Sequence, residues 1–210
     1  TGHQMGGWFN KEINSLKDFK GLKMRIPGLG GEVIKAAGGT VVNLHGGELL
    51  TSIQSGAIDA LEWVGPYNDL AFGIYKAGKY YYYPGWHEPG GVLDCFININ
   101  KWNSLPEDLQ KIIETSAKAT TQVIINEMIA GNNIALKTLI NKHKVNLKPF
   151  PDNVLKELAI LSKKVMQKLT TSDPLSKEVY NSIVKFRNDS IKRSKVSEEK
   201  FLESRSKFLT

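Results

Sequence analysis

An arginine at the end of a short predicted strand is the residue best placed to bind a charged ligand. Residues 22–27 are mostly apolar and stop at Pro27, which predicts a strand, and Arg25 lies near its carboxyl end beside a glycine-rich turn. Ligands of open α/β sheets bind outside the carboxyl ends of the strands. A guanidinium there can hold a carboxylate through two parallel hydrogen bonds. The residues alone fit an exposed strand-end arginine equally well.

A second candidate site lies at the end of a predicted strand over residues 57–64. This strand is mostly apolar, so Glu62 would be a buried carboxylate that needs a cation, an arginine or a ligand donor. Trp63 beside it could form the wall of a small pocket. A solvated Glu62 and a core Trp63 fit the same pattern equally well.

Two further segments carry polar groups of the same kind. The loop of residues 84–91 is held by prolines and glycines and presents Trp86 and Glu88, although an ordinary surface loop explains it too. Gln4 stands among glycines near the start of the chain. Together Gln4, Glu62 and Glu88 supply the hard oxygen ligands that Na⁺ and Ca²⁺ prefer, and a carbonyl near Trp63 would add another.

The elements that must position these residues form an α/β pattern over residues 1–100. Short strands alternate there with single helices, which predicts a mostly parallel sheet. The predicted strands are residues 22–27, 40–44, 57–64, 79–84 and 92–100, and the predicted helices are residues 32–37, 48–54 and 67–75. Cys95, the only cysteine, lies in the last strand and is expected to be a small buried residue.

The region from residue 101 onward has long helical periodicity instead. Ser104 is expected to cap its first helix, with Pro106 in the first turn and a break at Gly131. The remaining predicted elements are that helix to residue 140, a brief strand at 145–150, and helices at 153–169 and 175–208. The last helix has a thin apolar stripe, which favours packing against a partner surface.

Composition excludes several classes of protein. No apolar run reaches the roughly eighteen residues of a membrane span. The 28 basic and 21 acidic residues give a net charge of +7, but the excess alternates with apolar residues at helical spacing. That placement is typical of solvated helix faces, so we expect no nucleic-acid partner. The sequence contains no Gly-x-Ser-x-Gly motif, Walker loop or zinc spacing.

Four blocks in order resemble one known family. They are residues 4–9 (QMGGWF), 19–26 (FKGLKMRI), 55–67 (SGAIDALEWVGPY) and 80–88 (YYYYPGWHE). The chain is similar to the extracytoplasmic solute-binding subunit of TRAP (tripartite ATP-independent periplasmic) transporters. Its blocks are most similar to the branch that binds 2-oxo acids or lactate together with a metal cation.

The resemblance implies a fold and a domain organisation. It implies a periplasmic-binding-protein type II-like lobe with a mostly parallel mixed sheet, followed by long C-terminal helices. Residues 1–100 would form the second lobe of a two-lobed protein, and residues 101–210 would pack across the hinge. The terminal helix would serve in a homodimer. The chain would be a C-terminal fragment that lacks the signal peptide and the first lobe.

The resemblance also implies roles for the candidate residues. Arg25 would pair with the carboxylate of the substrate. The predicted substrate-binding residues are Arg25, Gln4, Glu62, Trp63 and Trp86. The predicted ligands of a Na⁺ or Ca²⁺ ion are Gln4, Glu62, Trp63 and Glu88.

These observations predict a periplasmic binding protein and not an enzyme. It would capture a small monocarboxylate, such as pyruvate or lactate, with a cation and deliver it to the TRAP permease in the membrane. Two alternatives stay open on the residues alone. One is a metal-assisted enzyme with Glu62 or Glu88 as general base, and the other is a basic interaction module that uses its lysine-rich helices.

Overall fold

The computed structural model describes residues 2–171 and 173–209 of the chain. Its internal contacts divide the chain into two compact units, residues 1–162 and 163–210. The first unit holds the sheet and most of the helices, and the second holds the last two helices. The predicted division at residue 100, between a lobe and a helical region, stays a prediction.

The elements are mostly those that the sequence predicts. The strands are β1 (Gly7–Phe9), β2 (Lys23–Arg25), β3 (Thr40–Val42), β4 (Ala60–Leu61), β5 (Tyr80–Tyr83) and β6 (Asn146–Pro149). The α-helices are α1 (Gly28–Ala36), α2 (Leu49–Gln54), α3 (Pro66–Phe72), α4 (Ile99–Asn103), α5 (Glu107–Asn141), α6 (Asp152–Thr171), α7 (Pro174–Lys195) and α8 (Glu198–Phe208). Short 3-10 helices cover Leu16–Phe19, Gly46–Glu48 and Ile74–Lys76.

The sheet is mixed and mostly parallel, so the predicted fold class is confirmed. Its order is β3-β2-β4-β1-β5-β6. Strand β2 is parallel to β3 and β4, and β5 is parallel to β6, whereas β1 is antiparallel to both β4 and β5. All strands but β1 therefore run in one direction. Their carboxyl ends share one edge of the sheet with the segment that precedes β1, which contains Gln4.

A glycine allows the central strand β1 to fit between its neighbours. Gly7 has a φ of +115°, a conformation that L side chains rarely adopt. A Cβ atom at this position would lie 2.6 Å from the carbonyl oxygen of Leu61 in β4. Trp8 and Phe9 then fill the two sides of the sheet, and both are fully buried. The sequence analysis did not predict this strand.

The core of the first unit joins the sheet to the long helix α5. One cluster of buried side chains comprises Trp8, Leu49, Ile53, Ile58, Leu61, Ile74, Tyr81 and Leu139. Leu139 is the contribution of α5. The same helix packs on α3 through Gly131, where a Cβ would lie 2.9 Å from the ring of Tyr67. The predicted break at Gly131 is wrong: the glycine permits this close approach inside an unbroken helix.

Three other predictions about local structure are wrong. Residues 92–98 form no strand, and Cys95 is exposed and not buried. Strand-forming residue types are not sufficient, because a strand also needs a neighbour, and this segment pairs with none of the described strands. Ser104 does not cap α5, since its hydroxyl donates to the carbonyl of Lys101 (2.8 Å) at the end of α4.

The second unit is helical, as predicted, but the single helix predicted over residues 175–208 is divided into two. Helix α7 begins at Pro174, where the Asp173 side chain accepts a hydrogen bond from the Ser176 N–H (2.7 Å). It ends before Ser197, whose hydroxyl bonds back to the carbonyl of Arg193 (2.8 Å) and competes with the helical ladder. Helix α8 follows. Within the described residues, no helix is both long and apolar enough to cross a membrane.

The contribution of α5 to the core gives a stability prediction. The variant Leu139→Ala is expected to lower the free energy of unfolding by about 2–5 kcal/mol, because it leaves a cavity in the cluster. The control is Ile134→Ala on the same helix, whose side chain is 69% exposed. It should change the free energy by no more than about 0.5 kcal/mol. Chemical denaturation measures both, and equal effects would contradict the packing described.

Candidate functional site

A buried ion pair lies at the carboxyl edge of the sheet. Arg25 ends β2 and stands beside Leu61 of the parallel strand β4, so the next residue, Glu62, reaches the guanidinium. The Nη1 group of Arg25 contacts the Glu62 carboxylate and also donates to the Glu62 carbonyl oxygen (3.0 Å). The Nε group donates to the carbonyl of Leu44 after β3 (3.3 Å). The two side chains are only 11% and 3% exposed.

A histidine holds the other side of the same carboxylate. The Nε2 atom of His87 lies 3.2 Å from Oε2 of Glu62. His87 comes from the loop after β5, and Trp86 before it packs against the imidazole with ring centroids 5.3 Å apart. The sequence analysis did not single out this histidine. Its position in the same loop as Trp86 and Glu88 was the available signal.

The backbone of Gln4 fixes that loop at both ends. Its N–H donates to the carbonyl of Pro89 (3.0 Å), and its carbonyl accepts from the N–H of Gly85 (3.2 Å). The next residue, Met5, donates to the carbonyl of Val64 after β4 (3.1 Å). The segment before β1 thus joins the loops that carry Glu62 and His87.

Several buried polar atoms in these segments have no hydrogen-bond partner. The set includes Oε1 of Gln4, Nε1 of Trp63, Nε1 of Trp86 and Nδ1 of His87. The Trp63 ring lies 5.4 Å from the guanidinium carbon of Arg25, so one of these donors stands beside the ion pair. Buried polar groups are nearly always paired in native proteins. A concentration of unpaired ones is therefore typical of a site that takes a polar ligand.

Glu88 differs from the other predicted ligands. It is exposed, whereas Gln4 and Glu62 are buried. The contacts of the described residues do not join its side chain to theirs. Within residues 2–171 and 173–209, no group of three or more His, Cys, Asp or Glu side chains is arranged to hold a metal. The predicted cation set, which relies on an amide and a backbone carbonyl, stays a prediction.

A second buried carboxylate, Asp69, lies behind the site, and the sequence analysis missed it. Its Oδ2 accepts from Nε1 of Trp8 and from the hydroxyl of Tyr81, each at 2.8 Å. Its Oδ1 accepts from the N–H of Val64 (3.3 Å). Burial raises the pKa of the Asp69 carboxyl to about 6, and the charge of Glu62 adds to the rise. The only signal for it in the sequence is an acidic residue in the first turn of the helix predicted over residues 67–75.

Comparison with known proteins identifies the family. The family model described as bacterial extracellular solute-binding protein, family 7, matches residues 1–173. The chain belongs to this family. The resemblance to TRAP solute-binding proteins that the four sequence blocks predicted is confirmed.

A curated relative of this family 7 protein is longer than the chain itself. It is 42% identical over 198 residues to the monocarboxylate 2-oxoacid-binding periplasmic protein of Nostoc sp., a match that covers 94% of this chain and 54% of the relative. The chain therefore spans about half the length of that curated relative.

Two crystal structures of TRAP periplasmic solute-binding proteins are similar over nearly the whole chain. One, from Colwellia psychrerythraea, has bound calcium and pyruvate and is 38% identical with a TM-score of 0.92. The other, from Pseudoalteromonas atlantica, has bound sodium and pyruvate and is 37% identical with a TM-score of 0.92. Each match covers 97% of this chain and 62% of the other.

The raised pKa of Asp69 gives a prediction about pH. The folded chain holds this proton more tightly than the unfolded chain, whose Asp69 has the ordinary value of 3.8. The free energy of unfolding should therefore fall by about 2 kcal/mol as the pH rises from about 4 to about 6. Denaturation of the wild type and of Asp69→Asn across this range measures the difference in slope.

Tyr81, which donates to Asp69, is excluded as a source of this pH dependence. Burial raises the pKa of Tyr81 well above 10, so its phenol does not titrate in this range. A slope that is the same in the wild type and in Asp69→Asn would show that another group carries the pH dependence.

Proposed function

We propose that this chain binds a small monocarboxylate together with a Na⁺ or Ca²⁺ ion, as the solute-binding subunit of a TRAP transporter. The ligand would be a 2-oxo acid such as pyruvate, or lactate. The observation that carries the proposal is the buried arginine of the Arg25–Glu62 pair, which stands beside unpaired polar atoms at one edge of the sheet.

Arg25 binds the carboxylate of the ligand in this proposal. Its Nη1 and Nε groups are held by Glu62 and by the Leu44 carbonyl, so the plane of the guanidinium is fixed before the ligand arrives. A guanidinium has five N–H donors, and the Nη2 pair is not used in these contacts. A preorganised cation at a buried edge is suited to a charge-assisted hydrogen bond with a carboxylate.

The indole groups of Trp63 and Trp86 supply further donors. Each Nε1 atom is buried and has no partner. An indole N–H can only donate, so its ligand must offer an acceptor. The oxygens of a 2-oxo or 2-hydroxy acid meet this need, whereas an apolar ligand would leave the donors unpaired.

The residues present fit a hard cation. Oε1 of Gln4 is a buried acceptor without a partner, and each carboxylate oxygen of Glu62 can accept more than the one contact it has. Oxygen donors of this kind suit Na⁺ and Ca²⁺. Gln4 and Glu62 would hold the ion, with the Trp63 carbonyl and Glu88 as the further ligands. The ion supplies positive charge for a second oxygen of the substrate.

The relatives support this choice of ligand. The two TRAP proteins that match with a TM-score of 0.92 contain pyruvate with calcium or with sodium. The Nostoc relative is named for monocarboxylate 2-oxoacids. As in that periplasmic protein, the chain would act in the periplasm, and it would pass its ligand to membrane permease subunits.

Binding without catalysis is part of the proposal. Oε1 of Glu62 contacts Arg25 and Oε2 contacts His87, and in this proposal the remaining acceptor capacity of both oxygens goes to the cation and not to a proton of the substrate. Residues 1–100 would act as one lobe, with residues 101–210 across the hinge, and closure would trap the ligand by shifting an open–closed equilibrium. Pyruvate incubated with the chain should be recovered unchanged.

A thermal-shift screen tests the proposed ligand. Pyruvate, longer 2-oxo acids, lactate and succinate are each combined with Na⁺, Ca²⁺ or a chelator. A pair present at about 100 times its Kd stabilises the folded chain by about 2.7 kcal/mol. The transition should therefore rise for a monocarboxylate with a cation, and the rise should disappear in Arg25→Ala.

Two control variants sharpen this screen. Arg25→Lys keeps the charge but loses the planar fork of donors, so it should recover only part of the shift. Lys35→Ala removes an exposed cation on α1 and should respond like the wild type. A chain that no pair stabilises, or an Arg25→Ala variant that responds fully, would contradict the proposed function.

We also propose that the second unit mediates a homodimer. Leu175, Val179, Ile183 and Phe186 lie three or four residues apart along α7, and all four are exposed. An apolar stripe along a helix is stabilised when a second helix covers it. A copy of the same stripe is the simplest partner, because most soluble oligomers are symmetric.

Light scattering coupled to size exclusion tests this interface. The wild type is expected to elute as a dimer, and the double variant Ile183→Asp, Phe186→Asp as a monomer. Lys185→Asp changes charge on the same helix outside the stripe and should leave the dimer intact. A monomeric wild type at high protein concentration would contradict the proposal.

A further inference from the structure

Asp69 makes a third hydrogen bond besides the two that hold its carboxylate in the core. Two donors, from Trp8 and Tyr81, already bind Oδ2 and fix the carboxylate in the core. The remaining oxygen, Oδ1, accepts from the N–H of Val64 in the segment after β4 (3.3 Å). This contact connects a side chain that is only 1% exposed to the backbone of the candidate site.

The residue that Asp69 binds is held at both of its backbone polar groups. The N–H of Val64 donates to Asp69, and its carbonyl accepts from the N–H of Met5 (3.1 Å). Met5 follows Gln4 in the chain, and Val64 follows Trp63. The hydrogen bond between Met5 and Val64 therefore positions Gln4 and Trp63, two of the residues to which the proposed function assigns the cation.

The geometry of the peptide group carries the effect further. The Trp63–Val64 bond is trans, since the only cis peptide of the described residues joins Tyr83 and Pro84. In a planar trans peptide the N–H and the C=O point in opposite directions. A hydrogen bond that holds the N–H of Val64 toward Asp69 thus directs the carbonyl oxygen of Trp63 away from Asp69.

We propose that Asp69 is a positioning residue of the cation site. It acts through the Trp63–Val64 peptide, whose orientation it sets, so that the Trp63 carbonyl is fixed as a ligand before the ion binds. The inference rests on the proposed function, which assigns that carbonyl to the cation. Outer partners that orient metal ligands in this way typically contribute about 10- to 100-fold to metal affinity.

The partners of Asp69 separate positioning from stability. Tyr81→Phe removes one donor to Oδ2 and keeps the ring that stacks on Trp8 with centroids 4.0 Å apart. It leaves Oδ1 and its bond to Val64 in place. In Asp69→Asn one side of the amide carries hydrogens. The Trp8 and Tyr81 donors both meet Oδ2, so the amide oxygen is expected on that side and the NH2 group opposite the N–H of Val64. Both variants perturb the same buried network, but only the second changes the contact with Val64.

Calorimetric titration of Ca²⁺ into the 210-residue chain with saturating pyruvate is the first test. Asp69→Asn is expected to bind Ca²⁺ about 10- to 100-fold more weakly than the wild type. Tyr81→Phe should bind within about twofold of the wild type, even if its thermal transition falls as far. An Asp69→Asn chain that is folded and binds Ca²⁺ like Tyr81→Phe would overturn the inference.

A second measurement does not depend on a variant that folds. The chain contains a single Trp-Val sequence, Trp63–Val64. Labelling tryptophan with ¹³C at the carbonyl and valine with ¹⁵N therefore gives one correlated NMR signal, from this peptide alone. Addition of Ca²⁺ to the wild type should shift that signal, because the ion polarises the Trp63 carbonyl. Saturation by Ca²⁺ without a shift would overturn the inference.

The titration also separates this inference from the proposed function. A wild type that binds no Ca²⁺, with or without pyruvate, contradicts the proposed function and removes the basis of the inference with it. A wild type that binds Ca²⁺ and pyruvate while Asp69→Asn does so equally well contradicts only the positioning role of Asp69.

Discussion

The buried pair of Arg25 and Glu62 is the constraint on which the rest of the site depends. Two charges removed from water are costly unless further hydrogen bonds satisfy them. Here those bonds come from the Leu44 carbonyl after β3, the Glu62 carbonyl after β4 and His87 after β5. The pair can form only where these loops meet. The parallel register of β2 with β4 is what brings the two residues together.

The sequence predicted the parts of this arrangement that follow from strand ends. Arg25 and Glu62 each close a short apolar run, and parallel strands place their carboxyl ends at one edge. It could not predict β1, which has three residues and carries no alternating pattern. Without that antiparallel strand, nothing in the sequence explains why Gln4 should reach the same edge. The roles of His87 and Asp69 depend on tertiary contacts far along the chain, which local patterns do not encode.

The two buried carboxylates of the first unit differ in their neighbours and hence in what they can do. Asp69 accepts three hydrogen bonds from Trp8, Tyr81 and Val64, so its environment is complete. Glu62 faces an arginine and a histidine, next to polar atoms that have no partner. A complete environment makes a rigid support, and an incomplete one is ready for a ligand. The N–H of Val64, two residues after Glu62, connects the two environments.

The central position of β1 has a consequence for how the chain folds. This strand joins two groups of strands, β3-β2-β4 on one side and β5-β6 on the other. It comes first in the sequence, yet Trp8 pairs with Leu61 and Tyr81, which are distant along the chain. Non-local pairings of this kind slow folding, because a long loop must close before any contact forms. During synthesis β1 leaves the ribosome before β4 and β5, so the pairs that join the two halves of the sheet can form only after both of those strands have emerged.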